Sequence, residues 1–280
     1  MTTADSRRVW FVTGASRGLG RAFTEAALAR GDRVVAASRS ATPEKTDQLL
    51  RLPLDVTRRD DVFDAVRQAV DHFGHLDVVV NNAGNLSMGM VEEFTESEAR
   101  AQMETNFFGA LWVSQAVLPV LRAQGRGRIL QISSIAALGG FPMTGLYSAS
   151  KFALEGMSEA LAAEAATFGV SVTIVQPGGY WTDLYTDPVT TTPSADYAPL
   201  RRQMEEMWAE GSVDSDPALA AEAVRKLVDS DDPPRRLLLG SMVFDLAGDL
   251  TRARLDDWAS WEEVSRAAED PVPAPVTPGT

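Results

Sequence analysis

Residues 9–20 read VWFVTGASRGLG, and the fold turns on how this stretch is read. Residues 9–12 are a short apolar, β-branched run, which predicts a buried strand. Residues 19–30 have helical spacing and end at Gly31, a residue suited to closing a helix. Between them the glycines follow the pattern G-x-x-x-G-x-G. Such glycines let a backbone turn tightly and approach a diphosphate, and the helix that follows offers free N–H groups and a partial positive charge. Gly14, Ser16, Arg17, Gly18, Leu19 and Gly20 are therefore the expected anion cradle.

Outward from this turn, strands and helices alternate. Strands are predicted at 33–38, 48–55, 76–81, 128–133, 170–175 and 237–239. Helices are predicted at 59–73, 97–122, 147–168 and 217–229, the last opened by Asp216 as cap and Pro217 at the first helical position. The strands are apolar throughout, which is the mark of a parallel sheet covered on both faces. The expected fold class is α/β: one Rossmann-like, doubly wound parallel sheet of about seven strands. One domain is expected over residues 8–268, between an extension at 1–7 and a Pro-rich, disordered tail at 269–280. Residues 182–212 form a Thr/Pro-containing stretch with Tyr185, Tyr197, Met204, Met207 and Trp208. This is the expected substrate lid.

The same turn contains a rival reading. Gly14-Ala15-Ser16-Arg17-Gly18 matches G-x-S-x-G, the nucleophile turn of serine hydrolases. That chemistry needs a histidine late in the chain. The only histidines are His72 and His75, so the hydrolase reading lacks its base.

Composition bounds the rest. The 280 residues carry a formal net charge of −13, which argues against nucleic acid or an anionic membrane as partner. Residues 1–60 nevertheless hold 11 Lys/Arg against 7 Asp/Glu, a basic segment that suits an anion site. There is no cysteine, so neither disulfides nor thiolate metal sites are available. With no apolar leader and no run of about 20 apolar residues, a cytoplasmic location is expected, with no metal and no membrane.

Tyr147 and Lys151 stand four residues apart, on one face of a predicted helix. A tyrosine is a weak base at neutral pH, and a lysine cation beside it favours the phenolate. Tyr147 is then able to give a proton to a developing alkoxide or take one from an alcohol. Ser134 lies 13 residues before Tyr147, at a strand end, where a hydroxyl can stabilise a substrate oxygen; Ser133 is the alternative.

With these residues in place, the sequence resembles the short-chain dehydrogenase/reductase family. Residues 13–20 fit its TGxxxGxG, Asn81-Asn82-Ala83-Gly84 its NNAG, and Pro177-Gly178 with Thr182 its PG…T element. The resemblance implies a catalytic set of Asn106, Ser134, Tyr147 and Lys151, with Asn106 holding a water in a proton relay and Lys151 also binding the cofactor ribose. It implies that Asp55 meets the adenine and that Val56, Asn82, Ala83, Gly84, Pro177, Gly178 and Thr182 line the cofactor site. A non-catalytic dinucleotide sensor is the other reading, disfavoured by the complete set. The resemblance also implies a homodimer or homotetramer formed through the two long helices.

At the end of the second strand, Ser38 stands where a carboxylate would meet a ribose hydroxyl, and Arg39 follows it. With Arg17 in the glycine turn, this predicts NADP(H) rather than NAD(H). The expected substrate is a carbonyl compound or alcohol, bulky and apolar or aromatic, met by Phe141, Met143, Tyr180 and Trp181.

Overall fold

Val9–Thr13 (β1) is fully buried, and in the computed structural model it is a central strand of an eight-stranded sheet. The structure describes residues 7–182, 184, 188–211 and 214–269. Most of the N-terminal extension, most of the C-terminal tail and Tyr185 lie outside these residues. In chain order β1 is followed by α1 (Gly18–Ala29), β2 (Arg33–Ser38), β3 (Glu44–Lys45), β4 (Leu49–Pro53), α2 (Arg59–Phe73), β5 (Val78–Asn81) and β6 (Ser87–Met88). Next come α3 (Glu96–Met103), α4 (Gly109–Gln124), β7 (Gly127–Ile132), α5 (Gly145–Ala166), β8 (Val170–Pro177) and β9 (Val189–Thr190). The chain continues through α6 (Ala198–Gly211), α7 (Pro217–Asp229), β10 (Arg236–Leu239), α8 (Ser241–Ser260) and α9 (Glu262–Ala267).

The sheet order is β10-β8-β7-β5-β1-β2-β4-β3, parallel except for the two-residue edge strand β3. From β1 the chain builds outward to β2 and β4, then crosses back to β5 and continues the other way. That reversal opens a crevice at the carboxyl ends of β1 and β5, where such sheets bind ligands. Alternate residues of β1 serve two cores. Val9 and Phe11 pack with α2, α4 and α5 on one face; Trp10 and Val12 pack with α1 and α7 on the other. Truncating Phe11, which is fully buried, to alanine would cost about 3–5 kcal/mol.

Local signals account for the helix ends. Gly74 closes α2 in a left-handed conformation, and its N–H meets the Val70 carbonyl. Asp216 accepts the Ala218 N–H at 2.8 Å ahead of Pro217. Among the described residues no helix is long and apolar enough to cross a membrane.

The structure departs from the sequence reading in three places. The helix expected over 97–122 is divided: a π-helical turn, Glu104–Phe108, separates α3 from α4. It turns Asn106 inward to bond the backbone of Asn85. The stretch 182–212, read as lacking helix or strand, contains β9 and α6, and β9 pairs with β6 in a separate two-stranded ribbon. Finally, residues 241–260 form the long helix α8, which had no sequence signal because it buries only Val243.

Candidate active site

A cleft of about 480 Å³ opens at the carboxyl ends of the strands. Gly14, Ser16, Arg17, Gly18, Leu19, Ser38, Arg39, Asp55, Val56, Asn82, Ala83, Gly84, Ser134, Tyr147, Lys151, Pro177, Gly178 and Thr182 all line it. Gly20 and Asn106 are not at its surface. Gly20 lies beneath the turn, where a Cβ would stand 2.3 Å from the Gly14 carbonyl and 2.4 Å from Asn82 Nδ2. Only glycine lets α1 start that close to β5.

The cradle is held open by side chains rather than filled by them. Thr13 Oγ1 accepts the Asn82 and Ala83 N–H groups, both at 3.0 Å. Asn82 Nδ2 donates to the Thr13 carbonyl at 2.9 Å. Asn82 thus ties β5 to the glycine turn. Gly14 and Gly18 have φ of +66° and +53°, the left-handed region that glycine tolerates best. No side chain caps α1, and its first turn has no acidic residue. Its N–H groups therefore face the cleft unanswered, as an anion requires. The Thr182 side chain closes over Gly18. This open cradle fits the diphosphate of a dinucleotide.

At the tip of β2, Ser38 is buried while Arg39 and Arg17 are exposed. Neither guanidinium has a carboxylate partner among the described residues. Asp55 is oriented by Thr57, which donates to Oδ1 from both its N–H and its hydroxyl.

On the opposite wall, α5 presents Tyr147 and, one turn on, Lys151; both are buried. Lys151 Nζ donates to the Ile132 carbonyl at 2.8 Å and lies 5.7 Å from the centre of the Tyr147 ring. Burial pushes the Lys151 ammonium down to about 8, against the opposing pull of the Glu155 carboxylate. Ser134 Oγ accepts the Ala136 N–H at 3.1 Å. Ser133 instead donates its hydroxyl to Glu155 Oε1 at 2.5 Å. Asn106 is 1% exposed; it accepts the Asn85 N–H at 2.9 Å and donates to the Asn85 carbonyl and Ser150 Oγ, both at 3.0 Å.

Of the expected substrate residues, Tyr180 lines the cleft, buried, with its phenol pushed up by that burial. Phe141, Met143 and Trp181 do not line it; Trp181 is 72% exposed and Met143 is buried in a methionine cluster. Leu184, Thr105 and Asn85 join the lining and were not singled out in the sequence. His75 meets Asp77 ahead of β5, at the amino end of the parallel strands, whereas Ser16 follows β1 at their carboxyl end, which leaves the hydrolase reading without a base.

Fold and site together define the class, and the comparisons agree: residues 8–192 match the family model for short chain dehydrogenase. The chain belongs to the short-chain dehydrogenase family. It is 38% identical to a 3-ketodihydrosphingosine reductase of Bacteroides thetaiotaomicron over 240 residues, 84% of this chain and 89% of that one. A short-chain dehydrogenase from Streptomyces avermitilis superposes with a TM-score of 0.86 at 35% identity, covering 95% of this chain and all of the other. One from Burkholderia cenocepacia, solved in complex with NADP, superposes at 0.73 with 29% identity, covering 91% and 97%.

Proposed function

We propose that this protein is an NADP(H)-dependent ketone reductase and secondary-alcohol dehydrogenase. The observation that carries the reading is the juxtaposition across one cleft of an open anion cradle and a wall bearing Ser134, Tyr147 and Lys151. The related reductase from Bacteroides thetaiotaomicron bears a name that describes reduction of a keto group.

When bound, the nicotinamide supplies or accepts the hydride. Ser134 donates a hydrogen bond to the substrate oxygen; its proton has no acceptor among the described residues, whereas that of Ser133 is committed to Glu155. Tyr147 delivers a proton to that oxygen in reduction and removes it in oxidation. Lys151 supplies the positive charge that favours the phenolate. Asn106 acts at one remove: its amide locks the Asn85 backbone and Ser150, and so holds Gly84 against Lys151.

Arg17 and Arg39 support the choice of NADP(H). A 2′-phosphate needs directional cationic donors, and both arginines reach the cleft without an ion-pair partner among the described residues. Buried Ser38 cannot repel it, and no carboxylate stands there to accept a ribose hydroxyl. The domain is residues 8–268, and the segment 182–212 covers the substrate end. Copies pair through α4 and α5, where Phe152 is exposed. A panel of aliphatic and aryl ketones, followed by NADPH absorbance, tests the reading. Turnover of several ketones is expected. Tight NADPH binding with no turnover of any ketone or alcohol would favour the sensor.

A further inference from the structure

Helix α8 leaves the body of the domain. Val243 is buried, a Cβ on Gly139 would lie 3.1 Å from the Leu250 side chain, and Arg254 donates to the Leu138 carbonyl at 3.0 Å. Val243, Leu250 and Arg254 share one face of α8 and seat it beside the loop that leads to α5. Every residue from 251 to 269 is nonetheless exposed. The second half of α8 and all of α9 thus form an arm that the described residues of its own chain leave uncovered.

The arm is not polar all round. One residue over from the seated face, Phe244, Gly248, Thr251, Leu255 and Trp258 recur at steps of four, three, four and three. That spacing places them in one stripe along a helix and is the pattern by which two helices interlock. Phe244, Leu255 and Trp258 are 67%, 54% and 61% exposed. Trp261, just past the end of α8, is as open. Contiguous exposed apolar surface of this kind marks a contact site.

Gly248 bears on what the stripe fits. Glycine inside an exposed helix weakens it relative to alanine. The atoms nearest a Cβ placed at 248 belong to the Arg252 guanidinium, at 3.3 and 3.4 Å, the movable end of an exposed side chain. Nothing fixed among the described residues calls for glycine there. A side chain from another molecule does, because the missing Cβ leaves a notch in the stripe. The stripe is also reciprocal. Laid antiparallel on its own copy, about a two-fold axis at Thr251, it sets Leu255 of each chain over Gly248 of the other and Trp258 against Phe244. Large meets small near the middle, and aromatic meets aromatic at both ends. Arg252 then faces Asp249 of the other copy, while Asp245 and Asp256 meet at the ends, in solvent, where such charges count for little.

The area is in keeping with such a pair. An aromatic side chain carries about 150–250 Å², so Phe244, Leu255, Trp258 and Trp261 leave roughly 450 Å² open per copy and roughly 900 Å² in a pair, near the roughly 1,000 Å² of a specific contact. The net charge of −13 disfavours an anionic membrane as the occupant.

We propose that α8 is a self-association surface: two copies of this protein pair through antiparallel α8 helices, with Leu255 of each seated on Gly248 of the other. The inference is independent of the ketone-reductase reading, and the contact is separate from the one through α4 and α5.

The test is sedimentation equilibrium over a range of protein concentration. The wild-type mass is expected to be twice that of Trp258→Glu, whichever assembly α4 and α5 form. Gly248→Leu favours the isolated helix but fills the notch, so it too should halve the mass, with helix content kept or raised. Leu255→Ala should weaken pairing at least about tenfold. The double variant Gly248→Leu with Leu255→Ala exchanges the two sizes and should recover pairing to within about threefold of wild type. A change that acts within one chain gives no such recovery. The chain has no cysteine, so Thr251→Cys places a single thiol at the axis. Mild oxidation should join two copies through it and leave Lys226→Cys, at a side chain 72% exposed, unjoined. A wild type of the same mass as Trp258→Glu overturns the proposal. So does a double variant that pairs no better than Gly248→Leu, or a Thr251→Cys protein that joins no faster than Lys226→Cys. Tryptophan emission that shifts with phosphatidylcholine vesicles, and not with protein concentration, would give the stripe to a lipid surface and overturn it too.

Discussion

Ser133 donates its hydroxyl to Glu155 Oε1 at 2.5 Å, while the neighbouring Ser134 donates to no group among the described residues. Two adjacent serines thus have different work. Ser134→Ala should lower kcat by about 10²-fold with little change in stability, as expected for a lost donor to a developing oxyanion. Ser133→Ala should leave the chemistry largely intact and cost about 1–3 kcal/mol in denaturant unfolding, because buried Glu155 loses a donor. Equal kinetic losses in the two variants would contradict the assignment.

Lys151 gives a pH signature. Burial lowers its ammonium to about 8, and Glu155 opposes that shift. In the protein without cofactor Lys151 is therefore charged below pH about 8 and neutral above it. The value of kcat/KM for NADPH reports the protein without cofactor, so its alkaline limb should fall near pH 8. Glu155→Gln should move that limb to lower pH. The stability sign follows from a folded value below the ordinary 10.5. Burying charged Lys151 destabilises the fold below pH about 8, and the cost is relieved as pH rises from there toward 10.5. A limb that does not move in Glu155→Gln would separate the two residues.

Gly20→Ala places a methyl 2.3 Å from the Gly14 carbonyl and 2.4 Å from Asn82 Nδ2, where backbone has to shift. We expect NADPH binding weakened at least about tenfold and stability lowered by about 1–3 kcal/mol. Gly156→Ala, in α5 with nothing within 4 Å of its new Cβ, is the control and should keep binding unchanged. Titration by fluorescence and a thermal melt read both.

Cofactor choice is open to reversal. Two charge-assisted bonds of about 1.5–3 kcal/mol each would favour NADPH over NADH by about 10²-fold or more. Ser38→Asp with Arg39→Ala should invert the preference, mostly through KM. A wild-type kcat/KM for NADH equal to that for NADPH would refute the roles of Arg17 and Arg39.

Most of the sheet was legible because parallel strands are buried on both faces and read as apolar runs. Helix α2 was placed at Arg59–Phe73 by its periodicity and by Gly74. The cradle was legible because its parts are contiguous in the chain. Where residues far apart in sequence make the structure, the reading ran out. Tyr197, Leu200, Met204 and Trp208 do recur at helical spacing, but Pro193, Pro199 and a run of threonines masked the signal. Glu93 and Arg201, which form an ion pair at 2.8 Å, lie 108 residues apart and carry no motif. The π turn at Asn106 is set by its bonds to Asn85 and Ser150, which no local pattern encodes.

The account stands most directly on Tyr147. The measurement is NADPH-dependent reduction of the best ketone by Tyr147→Phe, alongside the Kd of NADPH for the same protein. Loss of turnover by at least about 10²-fold, with Kd within about threefold of wild type, is the predicted result. Turnover within about threefold of wild type would contradict the assignment of Tyr147 as the proton donor.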